Sequence, residues 1–249
     1  MTARRSQLRA WLYALTRYEL TLRGKAARAR NAFIKTAARD YETTQHIANH
    51  LVTAHRTRIA DTLDAHYRVV IPHFAAQALK QVKSRRFERK AALFDSLVAE
   101  WVGREALRKA QLIADTDRDD VLAEIGKGLD EGLGTAEIAR NIRKVSQLTP
   151  YRAATVARTE THAAATYGSI ESVRAAERDL GVVMLKEWGP TLDDRTRPEH
   201  LAMASYGPIP MNEKFVVGGE QMDRPGDSSA SPANLVNCRC TMFFTEATG

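Results

Sequence analysis

With 249 residues, 44% of them hydrophobic, and 37 Lys+Arg against 30 Asp+Glu for a net charge of +7, the chain has the material for an ordinary core and is not a disordered polymer. No apolar run approaches the roughly 20 residues needed to cross a bilayer, and Met1-Thr2-Ala3-Arg4-Arg5 leads into a charged amphipathic stretch instead of a signal-peptide core, so residence in the cytoplasm is expected and no membrane partner. Two cysteines, Cys238 and Cys240, exclude a disulfide framework, and a bond between thiols this close in sequence would be strained.

The charge is unevenly spread. Residues 1–150 hold 27 basic and 17 acidic side chains and the rest 10 and 13, which is +10 against −3. Residues 1–39 hold ten basic side chains and one acid, Glu19. Arg4, Arg5, Arg9, Arg23, Lys25, Arg28 and Arg30 are therefore candidates for contact with nucleic acid or an acidic protein surface; a merely solvated helix face accounts for the same pattern.

Leu8, Trp11, Leu12, Leu15, Tyr18, Leu22, Ala26, Ala29 and Phe33 recur at the spacing of one helix face and predict a helix from about Ser6 to Ala38. After a polar break at Asp40–Thr44, the stretch from Ile47 to Ile71 repeats the pattern and is expected to end near Pro72, giving an antiparallel pair. Further helices are expected over Phe74–Arg89 and Ala91–Ala114, the latter carrying Leu93, Leu97, Val98, Trp101, Leu107 and Ile113. Asp115 to Asp120 lacks the glycine and the final acid of a calcium loop, and reads as caps for a helix over Val121–Leu129. Thr135 is a natural cap for a short helix, and Thr149-Pro150 opens one running to about Arg178.

Past Gly181 the pattern changes. Val182–Trp188 reads as a strand, Pro198–Ala204 as a short helix, and the remainder as loops and short strands ending in Cys240–Phe244, with turns at Gly218-Gly219 and Pro225-Gly226-Asp227. The fold class is α+β: a basic helical region over 1–148 for packing, then a small α+β domain over 149–249. His46 and His50 stand four apart on a predicted helix, but the glutamate of a metallopeptidase motif is missing, so helix surface is the better reading.

Ala157-Arg158-Thr159-Glu160, Gly168, Lys186-Glu187-Trp188, Asp193-Asp194-Arg195-Thr196-Arg197 with His200, and Asn237-Cys238-Arg239-Cys240 together resemble the Mu F-like minor head proteins of tailed phages, also called head morphogenesis proteins. The resemblance covers roughly Thr149 to Phe244. It implies a non-enzymatic component that joins the portal protein and other head proteins in the host cytoplasm, ends in the virion head, and influences DNA packaging or ejection.

The residues themselves suggest two constellations. His200, Cys238 and Cys240 carry the donors zinc prefers, with His162, Asp194 or water as a fourth ligand; the rival reading is two small buried residues on one face of a strand with Arg239 pointing outward. Zinc is the only cofactor suggested. Arg158, Glu160, Trp188, Asp194, Arg195, Arg197, Asn237 and Arg239 form a structural or binding cluster. The alternative is an enzyme acting on nucleic acid or protein, a nuclease using His200 with the arginines, or an ADP-ribosyltransferase using Glu160 or Glu187.

Overall fold

The computed structural model describes residues 2–82 and 90–247. Helices α1 (Thr2–Thr44), α2 (Asn49–Leu79), α3 (Lys90–Trp101), α4 (Leu107–Asp130), α5 (Thr135–Lys144) and α6 (Thr149–Leu180) come first. Then follow strand β1 (Met184–Gly189), helix α7 (Pro198–Ala202), strands β2 (Ile209–Pro210), β3 (Phe215–Val217) and β4 (Glu220–Met222), helix α8 (Pro232–Leu235) and strand β5 (Thr241–Glu246). The class is α+β, as the sequence indicates. Among the described residues no helix is long and apolar enough to cross a membrane.

The chain forms two compact units, each discontinuous in sequence. One comprises Met1–Glu19, His66–Trp101 and Arg158–Gly249, the other Leu20–Ala65 and Val102–Ala157. The apolar period anticipates most of α1, but the helix extends to Thr44, and the break falls at 45–48. Asp40 is still helical; its carboxylate accepts a hydrogen bond from Ala48 N at 2.8 Å and so ties down the start of α2. His46 lies in this connection, not on a helix, which dissolves the pairing with His50.

Within the second unit, Phe33, Ile34, Ala37, Ala38 and Tyr41 of α1 close a core with Val52, Val121 of α4, and Ile138, Ala139 and Ile142 of α5. The acids expected as caps lie inside α4, so that reading is corrected. Asp117 is buried and holds Arg30, with His55 Nε2 at 2.8 Å from its other oxygen, while Asp120 takes Arg30 at 2.8 Å and Arg152 at 3.1 Å. Helix interior wins because these carboxylates neutralise a buried guanidinium, which a cap at a solvent-exposed terminus would not do. Thr135 begins α5 but makes no capping hydrogen bond, Gly134 being the cap residue.

A π-helical turn at Val102–Ala106 joins α3 to α4. Its extra residue shifts the phase of the apolar stripe. Leu107, expected in the core, is 68% exposed, and Ala106, Ala110 and Ala114 are buried instead.

In the first unit, Trp11 packs edge-on against Phe74 with ring centroids 4.4 Å apart, and Tyr18 meets His66, so the start of α1 and the end of α2 run antiparallel. Pro72 does not end α2; the helix passes through it to Leu79. A proline costs a helix interior about 3 kcal/mol, but Val70, Ile71, Phe74 and Ala75 around it are fully buried, and that burial exceeds the cost. The last part of the expected Phe74–Arg89 helix, 83–89, lies outside the described residues. Gly168 lets α6 cross α2 closely: a Cβ there would lie 2.6 Å from the Ile71 carbonyl oxygen.

The sheet has the order β2-β1-β5, all antiparallel, with Leu185 opposite both Pro210 and Thr245 and Trp188 opposite Met242. Its apolar face covers the end of α6, where Ile170, Val173 and Ala176 meet Met184, Met211, Met242 and Phe244. β3 and β4 form a separate hairpin whose turn, Gly218-Gly219, uses positive φ at both positions, 57° and 82°, as a two-residue hairpin turn requires.

Candidate metal centre

The site is assembled from β1, α7 and the segment before β5, all in the first unit. Trp188 alternates inward on β1. Its ring stands edge-on to His200, centroids 5.4 Å apart, and to Phe215 at 5.4 Å. Proline in the first turn of α7 sets that short helix so that His200 turns inward, 1% exposed. Cys238 and Cys240 are buried beside it, with Met203, Phe215, Val217 and Met222 completing the apolar shell.

His200 Nδ1 lies 3.6 Å from Cys238 Sγ and 3.5 Å from Cys240 Sγ. Its other nitrogen, Nε2, lies 3.2 Å from Asn234 Oδ1, and the Asn234 amide donates in turn to the Val217 carbonyl at 3.4 Å. Among the described residues this is the only group of three or more His, Cys, Asp or Glu whose ligand atoms all lie within 4.8 Å of one another. A hydrogen bond from Cys238, opposed by burial and aided by His200 and the Trp188 indole, holds Cys240 well below the ordinary thiol range; the same partnership, with burial, pushes Cys238 well above it.

The Asn237–Cys240 segment is held at every residue. Asn237 adopts a left-handed backbone, φ 60°, which asparagine tolerates better than most residues. Its side chain accepts from Arg158 at 2.7 Å and its N–H donates to Thr159 Oγ1 at 3.3 Å. Arg197 donates to the Val236 carbonyl at 2.6 Å, Thr191 to the Arg239 carbonyl at 3.0 Å, and the His162 ring nitrogen Nε2 lies 2.7 Å from the Cys240 carbonyl. Arg239 does not point out to solvent as the strand reading expects: it pairs with Asp193 at 2.6 Å, and both cysteines precede β5. That ion pair, with the Thr196 hydroxyl, lowers the Asp193 pKa to about 2.

The predicted cluster thus divides. Arg158, Arg197, Asn237, Arg239 and Trp188 surround the cysteine segment. Glu160 is buried elsewhere and accepts from Tyr67 Oη at 2.8 Å. Glu187 is engaged by both terminal nitrogens of Arg4, at 2.6 and 2.7 Å. Asp194 and Arg195 are exposed, and the acid that does the pairing is Asp193, one position earlier. His162 offers its nitrogen to a backbone oxygen, not to the sulfurs, so neither it nor Asp194 is a fourth ligand here. Sequence reasoning does not single out Asn234 of α8, Thr159 of α6 or Thr191 as partners of this segment, since a lone polar residue carries no spacing signal.

Of the basic candidates on α1, Arg5, Arg9, Arg23, Lys25 and Arg28 are exposed. Arg30 is buried on Asp117 and Asp120, so it is not available to a nucleic acid.

Comparison with known proteins bears on the same region. The family described as "Phage Mu protein F like protein" matches residues 119–243, half of the chain. The chain belongs to this family. Every element of the candidate site, from β1 through Cys240, lies inside the matched stretch. A minor head protein, GP7, of Bacillus phage SPP1 is 30% identical over 51% of this chain and 40% of its own length. An NAD(+)–arginine ADP-ribosyltransferase, EFV, of Enterococcus faecalis is 29% identical over 56% of this chain and 28% of its own length. The chain thus spans well under half the length of either curated relative, and no solved structure matches it significantly.

Proposed function

We propose that this protein is a minor head protein of a tailed phage, joining the portal vertex and other head proteins during assembly in the host cytoplasm and remaining in the virion head. The observation that carries the reading is family membership over residues 119–243 together with similarity to a relative named as a minor head protein. The geometry is consistent with a rigid docking module: Arg158, Arg197 and the Asp193–Arg239 pair hold the segment that carries the two cysteines. DNA passing the portal would meet the exposed Arg5, Arg9, Arg23, Lys25 and Arg28 through phosphate contacts that read no sequence.

Co-expression of the full chain with the portal protein of its own phage, followed by co-purification and particle imaging, tests this. Stable association and incorporation into procapsids is the expected result; absence of the chain from procapsids overturns it. Deleting residues 1–39 is unsuited to the purpose, because Trp11, Leu15, Leu22 and Phe33 are core residues.

An ADP-ribosyltransferase reading draws on the name of the second relative, a protein of which this chain covers 28%. Glu160 and Glu187 are each committed to a hydrogen-bond partner, which favours positioning roles. Transfer from NAD+ to an arginine substrate by the purified chain, abolished by Glu160→Gln with folding retained, would reverse the preference.

A further inference from the structure

We propose that His200, Cys238 and Cys240 bind one structural zinc ion, which clamps the Asn237–Cys240 segment to α7. The first support is spacing. Zinc–sulfur and zinc–nitrogen bonds of about 2.3 and 2.0–2.1 Å, meeting at a tetrahedral angle, put sulfur and nitrogen about 3.5–3.6 Å apart. The two sulfur-to-Nδ1 distances are 3.6 and 3.5 Å. Three side chains from two separated segments thus place both sulfur-to-nitrogen edges at the length a tetrahedral zinc requires.

The second support is the surroundings. A ligating histidine needs its other ring nitrogen bonded to an acceptor, which fixes tautomer and orientation. Asn234 Oδ1 occupies that position at 3.2 Å from Nε2, and the Asn234 amide is itself held by Val217. The Trp188 indole and Phe215 ring wall the site, leaving sulfur and imidazole as the ligands, a set that selects zinc over magnesium or calcium.

The third is need. Among the described residues, the region after Gly181 builds a three-stranded sheet with a two-residue edge strand, a two-stranded hairpin, two short α-helices and one 3-10 turn. The β2-β1-β5 sheet takes its core from α6, so what a staple would add is the joining of α7 to the cysteine segment. The three ligands join the parts that backbone hydrogen bonds leave separate: α7 on one side and the chain entering β5 on the other. Among the described residues no fourth His, Cys, Asp or Glu enters the cluster. Binding releases the thiol protons, two thiolates and a neutral imidazole facing the ion.

The test uses the full chain purified without chelator from zinc-supplemented medium. About one equivalent of zinc by elemental analysis is expected, with a lower melting temperature after chelator treatment that recovers on adding back zinc. Cobalt(II) added to the stripped protein should give sulfur-to-metal charge transfer in the near ultraviolet and tetrahedral visible bands, which no histidine-only surface site produces. Cys238→Ser and Cys240→Ser should each lose most of the metal, whereas His50→Ala retains it. If a cysteine variant fails to fold, the cobalt spectrum of the unaltered chain decides alone. Less than about a tenth of an equivalent with melting indifferent to chelator, cobalt binding without charge transfer, or a mass two hydrogens lighter from a Cys238–Cys240 disulfide would each overturn the proposal.

Discussion

Lys186 Nζ lies 2.6 Å from Asp223 Oδ1 although the lysine side chain is wholly buried in the middle of β1. Arg174 grips the same carboxylate with both terminal nitrogens, at 2.7 and 2.9 Å, and the Lys186 ammonium also donates to the Asp223 carbonyl at 2.9 Å. One acid from the loop after β4 thereby pairs with two cations, one on α6 and one on the sheet, and Glu171 supplies the second negative charge at 2.7 Å from Arg174.

Asp223→Asn should destabilise the protein by about 2–3 kcal/mol, the cost of stranding a buried charge discounted for the partial exposure of the carboxylate. Burial pushes the Asp223 pKa up, but the hydrogen bonds from Arg174 and Lys186 outweigh it and hold it below the ordinary value. A carboxyl depressed in the folded state contributes stability that is present above its unfolded pKa of about 3.9 and is lost as pH falls through the folded value. Urea unfolding from pH 7 down to pH 2 should show an acid-side loss that is shallower in the variant; equal slopes would mean the pairing is not formed in solution.

Asp117→Ala removes the partner of both Arg30 and His55, the latter stacked on Phe33 in the second unit's core. Leaving Arg30 buried with only Asp120 should cost about 3–5 kcal/mol. Replacing Asp119, which is exposed and paired with Arg118 along its own helix, should change stability by less than about 0.5 kcal/mol. Chemical denaturation of the two variants separates a capping role, which would make them similar, from the buried ion pair.

Gly168→Ala drives a methyl to 2.6 Å from the Ile71 carbonyl oxygen and 3.2 Å from Ile71 Cα. Backbone cannot yield as a side-chain tip does, so a loss of about 1–3 kcal/mol is expected. An unchanged melting temperature would show that α2 and α6 cross less closely than this.

Charge-removing substitutions of Arg5, Arg9, Arg23, Lys25 and Arg28 to Gln leave the buried stripe of α1 untouched. If these side chains bind duplex phosphates, the slope of log affinity against log salt should become shallower by about 4.5 units, near 0.9 for each phosphate that is no longer neutralised. Arg30→Gln should instead impair folding, because that guanidinium is inside the protein. Identical slopes before and after the five substitutions would remove α1 from the DNA interface.

The sequence by itself determined the class of fold, most helices, the turn at Gly218-Gly219, and the family, because each rests on local information: the period of apolar residues, glycine at positive φ, and a signature confined to the C-terminal part of the chain. It also singled out His200, Cys238 and Cys240 from donor chemistry. What it could not supply was any choice that depends on a distant partner. The acids at 115–120 look like caps until Arg30, 87 residues before Asp117, is placed against them. Pro72 looks like a terminator until the burial around it is counted. Asp193 and Asp194 are indistinguishable in sequence, and only the approach of Arg239 selects the first. Tertiary packing decided these points because a charge or a helix-breaker is judged by what surrounds it, and those surroundings come from segments far apart along the chain.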